Sequence, residues 1–324
     1  MMPHNIRLEG IFTLRAPLSH IKESISSTSY LVEESILQPD GGVESVFVYS
    51  GNAWRGQLRD LIAAYMLDKL GNPALSLDTF HLLFSGGRIG GTQSTDLGQA
   101  RKIRSSIPAI ALLGGGVGNQ ILEGKLRFGN CYPLCVEAAP VLPRSLYEQA
   151  SRVSYSSITM IKEYSRRDDS KIDSIAAYLP GPEHNLLGDG GKKPRARKDD
   201  GPADQMRIGC ELVIPGVKLR TYVDGDNLSD VELGCLVSGL HRFSRSPYIG
   251  GQSARGHGAA DLEYKIIDRE TGEASDFLSV NDGVSLLAPP AEAAKDAYDH
   301  HLRSIYDEML ASRSSEITAL LGAG

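Results

Sequence analysis

The sequence predicts an α+β fold of the ferredoxin-like kind, a split βαβ sheet with helices on one face. Two observations lead there. Apolar residues alternate at the N-terminus and again after residue 206, while helical stripes separate the strand-like stretches. Their order is strand, helix, strand, excursion, hairpin, helix, strand. The 324 residues carry 41% hydrophobic and 23% charged side chains, an ordinary globular composition that excludes full disorder. The open sheet face of such a fold commonly carries single-stranded RNA.

Ile6, Leu8, Phe12 and Leu14 keep alternate positions, with Gly10 between them, so 5–15 reads as a strand. The polar stretch 17–44, rich in Ser and Thr and holding Gly41-Gly42, reads as mostly loop. Trp54, Leu58, Leu61, Ile62, Tyr65, Met66 and Leu70 follow helical spacing, closed by Gly71-Asn72-Pro73. Residues 85–118 are glycine-rich, and 121–128 reads as a second strand. Residues 146–160 fit helix or strand.

Residues 162–205 hold Arg166-Arg167, Gly188-Asp-Gly-Gly191 and the run Lys192, Lys193, Arg195, Arg197 and Lys198. Few large apolar residues anchor them, so they read as an excursion, partly disordered until bound. Over 188–201 the expectation is flexibility in the free chain and order in an assembly. After residue 206, Pro215-Gly216 divides two alternating runs, which reads as a hairpin. Ser229-Asp-Val-Glu232 is a capping box opening a helix with Leu233, Leu236, Val237 and Leu240 on one face. The glycine-rich stretch 248–258 leads into a strand with Leu262, Tyr264 and Ile266, and 291–320 reads as a helical tail.

The net charge is -6, but residues 261–324 alone carry 13 acids and 5 bases. Acidity is therefore a property of the tail, and residues 1–260 are slightly basic. No run is long and apolar enough for a transmembrane helix. Met1 to Arg15 lacks the pattern of a signal peptide, and four cysteines make no disulfide framework. The expected compartment is the cytoplasm.

Chemistry is sparse. Cys131 and Cys135 have zinc-like spacing but no second Cys/His pair follows. Gly118 to Gly124-Lys125 has one residue too many for a P-loop, and Leu126 stands where Ser or Thr is needed. Gly251-Gln-Ser253-Ala-Arg-Gly256 is one residue too long for a nucleophile elbow. The reading is a binding protein, not an enzyme, with no metal and no cofactor.

Three clusters of glycine and base remain. The first is Gly51-Asn52-Ala-Trp54-Arg55-Gly-Gln-Leu-Arg59. Arg55 and Arg59, four apart at a helix start with free N–H groups, suit a phosphate backbone. Charge reversal there is expected to abolish binding at little cost in packing. The second is Leu112-Leu113-Gly114 with Gly124-Lys-Leu126-Arg-Phe128. The third is Gly250-Gly251-Gln252-Ser253-Ala-Arg255-Gly-His257-Gly258, where Gly251 is expected to need its glycine.

In this order the clusters resemble the RAMP superfamily of CRISPR proteins, in particular the guide-binding backbone subunit, the Cas-seven family. Gly51 to Arg59 is similar to the family's G-x-x-x-[KR]-G-x-[LI]-R helix, and Gly250-Gly251 with Gly256-His-Gly258 to its late glycine signature. The central element is similar but lacks its Phe. The likeness spans about 5–268 and is nearest to the type IV CRISPR-Cas branch.

The resemblance implies an RRM-like or ferredoxin-like palm (1–161 and 206–268), a thumb-like insertion (162–205) and an acidic helical tail (269–324) packing on the palm. It implies binding of the CRISPR guide RNA through Gly51, Asn52, Trp54, Arg55, Arg59, Gly250, Gly251, Gln252, Ser253, Arg255 and His257. Arg166, Arg167, Lys192, Lys193, Arg195, Arg197 and Lys198 would contact RNA or a neighbouring subunit. Implied partners are the guide, a complementary target nucleic acid (DNA on this branch), further copies, other effector subunits and a DinG-type helicase, with no membrane. Type III backbone subunits cut target RNA with an Asp in the loop after the first strand. Here Ser26-Ser-Thr-Ser29 stands near that place, and Glu33, Glu34 and Asp40 do not fit the motif. Binding without cleavage is the expectation. The alternatives are a type III-like target-RNA endonuclease and a glycine-rich small-molecule enzyme unrelated to CRISPR.

Overall fold

The computed structural model describes residues 4–87, 97–117, 119–165 and 207–311. In chain order the elements begin with β1 (His4–Leu14), β2 (Ile21–Ile25), β3 (Thr28–Leu31), β4 (Glu33–Leu37) and β5 (Val43–Phe47). Four helices follow: α1 (Gly51–Lys69), α2 (Leu77–Ser85), α3 (Leu97–Ser106) and α4 (Pro108–Leu113). Next come β6 (Gly115–Val117), β7 (Gln120–Leu122), β8 (Leu126–Phe128), β9 (Tyr132–Pro133), the single turn α5 (Tyr147–Ala150) and β10 (Thr159–Ser165). The chain continues with β11 (Arg207–Val213), β12 (Lys218–Leu228), α6 (Asp230–Phe243), β13 (Ala260–Asp268), β14 (Ala274–Asn281), β15 (Val284–Leu287) and α7 (Pro289–Ala311).

The class is mixed α+β with antiparallel sheets. The main sheet runs β15-β14-β13-β1-β12-β8, with β9 also on β12. Its centre, β13-β1-β12-β8 with α1 and α6 as the crossover helices, has the strand order of a split βαβ fold. Ile6, Leu8, Phe12 and Leu14 of β1 are buried, so the alternation read from sequence marks the helix-facing side. Trp54 of α1 fills the middle of this core. Its ring meets Phe12 edge-on at 5.1 Å and Phe243 at 5.4 Å, and its indole N–H donates to Tyr264 Oη at 3.2 Å. The capping box of α6 is formed, with Ser229 Oγ accepting from Glu232 N–H and the Glu232 carboxylate from Ser229 N–H.

Four expectations are corrected. The stretch 17–44 is not mostly loop: it holds β2, β3 and β4 and reaches into β5. Polar strands with little burial show no apolar alternation, and Ser26, at φ 56°, turns β2 into β3. The stretch 121–128 is two strands, parted by Glu123-Gly124-Lys125. The alternating runs about Pro215-Gly216 form no hairpin. β11 pairs with β10 and β3, while β12 pairs with β1, β8 and β9. Alternation fixes which face is buried, not which strand lies alongside. Finally, residues after 268 are not all helical, because β14 and β15 extend the main sheet before α7 begins.

α7 lies along α6. Gly234 allows this approach, since a Cβ there would stand 1.9 Å from the Ala294 carbonyl oxygen. Asp299 of α7 is buried and accepts from Tyr65 Oη (2.6 Å), Lys69 Nζ (3.1 Å) and Lys295 Nζ (3.0 Å). Part of the tail's acidity thus serves to fasten it. A second, smaller core lies beneath the β4–β5 hairpin, where Ile36 and Val46 meet Leu134, Cys135, Ala138 and Ile158. Cys131 belongs to the main core and Cys135 to this one, which is why their spacing makes no metal site. Burial pushes both thiols up to about 12. Among the described residues no helix is long and apolar enough to cross a membrane.

A second sheet, β10-β11-β3-β2, stands apart from the first. Ser165 and Arg207 are register partners at the end of its β10–β11 ribbon. The segment between them is therefore an excursion whose two ends are held side by side. Residues 166–206, with Arg166, Arg167, Lys192, Lys193, Arg195, Arg197 and Lys198 and the expected flexibility over 188–201, lie outside the described residues.

Candidate nucleic-acid interface

The glycine loop between α6 and β13 is pinned to the segment that joins β1 to β2. Gly251 N–H donates to Ser19 O at 2.7 Å and Gly258 N–H to Pro17 O at 2.8 Å. Gln252 takes φ 61°, and its amide reaches Cys210 Sγ at 3.4 Å. Register places Lys162 opposite Cys210 and Tyr164 opposite Ile208, so this face of the β10–β11 ribbon lies against the loop. His257, 2% exposed, has Nε2 2.6 Å from Tyr164 Oη. Its Nδ1 is buried and has no hydrogen-bond partner.

Two cations flank the same tyrosine. Lys162 Nζ is 5.4 Å and the Arg255 guanidinium 5.5 Å from the ring centroid, within cation–π range. Both side chains are exposed. Arg255 shares no ion pair with a carboxylate among the described residues, its side-chain partner being Gln252 Oε1 at 3.2 Å. A half-exposed aromatic ring between two cations, at the root of the excursion, can offer a phosphate two charges and a base one ring edge. Sequence reasoning found Gln252, Ser253, Arg255 and His257 here. It missed Lys162 and Tyr164, whose i, i+2 spacing on a strand was the available signal.

The first cluster lies differently. Trp54 is in the core and Gly51 is buried, its missing Cβ leaving room for the carbonyls of Phe128 and Gly129. The helix N-terminus is capped from within: Ser50 Oγ accepts from Ala53 N–H, and Asn130 Oδ1 from Gly51 N–H at 2.9 Å. Arg59 is 9% exposed and donates to Leu113 O (2.9 Å) and Gly114 O (3.0 Å), while Arg55 also donates to Leu113 O. These are the last carbonyls of α4, a helix buried at every residue. The arginine pair satisfies a helix C-terminus that no water reaches. Burial, with Arg55 nearby, lowers the pKa of Arg59. Of this cluster only Asn52 and Gly56 are fully on the surface, and the phosphate clamp expected from Arg55 and Arg59 is an internal one.

Glycine needs correction too. Gly251 has an ordinary φ, and a Cβ there would meet only Ser19 O, at 3.7 Å. The constraint falls on Gly250 and Gly258, at φ 72° and 83°. Gly114 and Gly124 of the second cluster lie against each other, each within 3 Å of where the other's neighbouring backbone would strike a Cβ.

The open face of the main sheet is occupied by its own ion pairs. Arg7 binds Asp224 through two bonds of 2.6 and 2.7 Å, Arg220 binds Glu9 at 2.6 and 2.9 Å, and both guanidinium groups lie over Tyr222. This face, bordering a cleft of about 910 Å³, is charge-balanced and is no basic platform. The acids weighed for cleavage are engaged as well. Glu33 accepts from Tyr155 Oη at 2.6 Å, Glu34 from Asn130 and Tyr132, and Asp40 from Gly42 N–H. Among the described residues no three His, Cys, Asp or Glu side chains gather as a metal site.

Burial lowers the pKa of His20, His241 and His257, with Lys162 and Arg255 adding to the effect at His257. The unfolded chain therefore binds more protons at these sites than the folded one. Stability is full above the ordinary histidine value of about 6.5 and falls as pH drops below it. Thermal melts between pH 7.5 and 5.5 are expected to show Tm falling steadily. A flat profile would show these rings protonating freely in the folded state.

No family model and no curated protein matches the chain. Among solved structures it is similar to a chain of one described as "Type IV-B CRISPR Complex", with a TM-score of 0.56 and 19% identity. The match covers 80% of this chain and 90% of that one. At that identity the likeness is one of fold.

Proposed function

We propose that this chain is a guide-RNA-binding backbone subunit of a type IV-like CRISPR effector complex. The main sheet with its helices is the palm, and the insertion 162–205 is the thumb. Copies assemble side by side along the guide, beside other effector subunits and a DinG-type helicase. The guide pairs with its target, DNA on this reading, while the protein contacts backbone rather than sequence. It binds without cutting.

The observation that carries the reading is the Lys162–Tyr164–Arg255 cluster at the root of the excursion, in a fold similar to a chain of a type IV-B complex. Lys162→Glu together with Arg255→Glu tests it. Both positions are exposed, so melting temperature is expected to hold within about 2 °C. RNA retained by protein expressed with a CRISPR array is expected to fall at least tenfold. Full retention would place the RNA elsewhere, and absence of RNA from the unaltered protein would overturn the functional reading itself.

A further inference from the structure

Where the glycine loop meets the segment joining β1 to β2, two rings are left uncommitted. Ser19 pairs with Gly251 in an antiparallel bridge, which sets His20 opposite Gly250. Ser19 and Ile249 are fully buried, so their neighbours His20 and Tyr248 turn outward, and both are half-exposed. Gly250 and Gly251 are exposed and bring no side chain to this surface. The arrangement is held from below. The His20 ring meets Tyr49 edge-on with centroids 5.1 Å apart, and Tyr49 itself is buried. Gln57 of α1 accepts from Tyr49 Oη at 3.2 Å and donates to Tyr248 O at 2.5 Å. Among the described residues neither the His20 imidazole nor the Tyr248 hydroxyl has a hydrogen-bond partner.

This surface offers rings and glycine backbone rather than charge, since burial keeps the His20 imidazole in its neutral form. The cations stand farther along the same loop, at Arg255, and on β10 at Lys162, both beside Tyr164. Each unit of a nucleic-acid strand carries a charged phosphate and a flat base, and the two parts suit different surfaces. We infer that His20 and Tyr248 form a base-stacking subsite, taking a nucleobase of the strand whose phosphates lie at Lys162 and Arg255. The bare Gly250-Gly251 backbone lets the base come close. Stacking on a ring face tolerates any sequence, which fits a protein that leaves the reading of sequence to the guide. The inference deepens the proposed function and rests on it.

The test uses a mixed-sequence single-stranded RNA carrying 2-aminopurine, a base whose fluorescence falls when it stacks, with affinity measured across a series of salt concentrations. His20→Ala with Tyr248→Ala is expected to weaken binding about tenfold, the loss of a stacked base, and to remove most of the quenching. The slope of log affinity against log salt stays unchanged, because no phosphate contact is lost. Lys162→Glu with Arg255→Glu is expected instead to flatten that slope. His20→Phe with Tyr248→Phe keeps both rings and is expected to bind within about twofold of the parent, since stacking needs a ring face and no polar edge. Melting curves establish that each variant folds, and Tyr248→Ala alone replaces the alanine pair if that pair does not. Unchanged affinity and quenching in the alanine variant overturn the inference. So does a loss accompanied by a flatter salt slope, or a phenylalanine pair as weak as the alanine pair. If the unaltered protein binds no RNA, the proposed function falls and the subsite with it, a result distinct from the other three.

Discussion

Arg59→Ala is expected to lower stability by about 2–4 kcal/mol, from the lost charged hydrogen bonds and the carbonyl left unsatisfied. α4 is six apolar residues, all buried, and its C-terminal carbonyls at Leu113 and Gly114 have these guanidinium groups as donors. Removing Arg59 leaves Gly114 O without its donor, while Leu113 O keeps Arg55. The corresponding fall in Tm is about 5 °C or more in a chain of this size. Arg55→Glu with Arg59→Glu goes much further. Two carboxylates would face the negative end of a buried helix with no cation to replace the lost pair. The double variant is expected to be recovered largely insoluble, with loss of helical circular dichroism in any soluble fraction. A folded double variant with a Tm near that of the parent would mean that these arginines are free to leave α4. The sequence expectation, loss of RNA with an intact fold, is reversed here: loss of binding in such a variant would report unfolding.

The same residues show what the sequence displays and what it withholds. Wherever one face of an element is buried, periodicity locates the element. β1, α1, α6 and β13 stand close to where the alternation and stripes put them, and the α6 capping box is made by Ser229 and Glu232 as spaced. β2 shows no periodicity because it buries nothing on either face. β11 and β12 show alternation but not partners, since strand pairing depends on residues far along the chain, from 42 positions away (Ser165 with Arg207) to 224 (His4 with Leu228). For the site, the glycine loop is visible in sequence as a concentration of glycine beside a base. Its companions on β10 are not, because Lys162 and Tyr164 acquire meaning only when the ribbon folds beneath the loop. Arg55 and Arg59 are legible as a pair on one helical face, yet a pair of arginines reads alike whether it meets phosphate oxygens or buried carbonyls. Burial decides between them, and single-residue spacing carries no information about it.

The glycine loop itself is expected to give a graded series. Gly251→Ala places a Cβ at an ordinary φ, 3.7 Å from Ser19 O, and is expected to change stability by no more than about 0.5 kcal/mol. Gly256→Ala meets nothing within 4 Å but must hold φ 80°, which costs about 1–2 kcal/mol for a residue with a Cβ. Gly258→Ala combines φ 83° with a Cβ that would stand 2.0 Å from Ile249 O. That contact cannot persist, and both sides of it are backbone. Relief requires the strand entry at Ala259 and Ala260 to part from Ile249, breaking the Ile249 N–H to Gly258 O bond of 2.9 Å. A loss of about 3 kcal/mol or more is expected, at the upper end for a single substitution. Because His257 is the preceding residue and holds Tyr164, the shift also draws Arg255 and Tyr164 apart. RNA retention should therefore fall for Gly258→Ala even below its melting temperature, while Gly256→Ala keeps most of it. Melting curves and RNA retention for the three variants, measured side by side, check the order. If Gly251→Ala proved as damaging as Gly258→Ala, in stability or in binding, the loop would have to be held by something other than the left-handed backbone and close contacts described here.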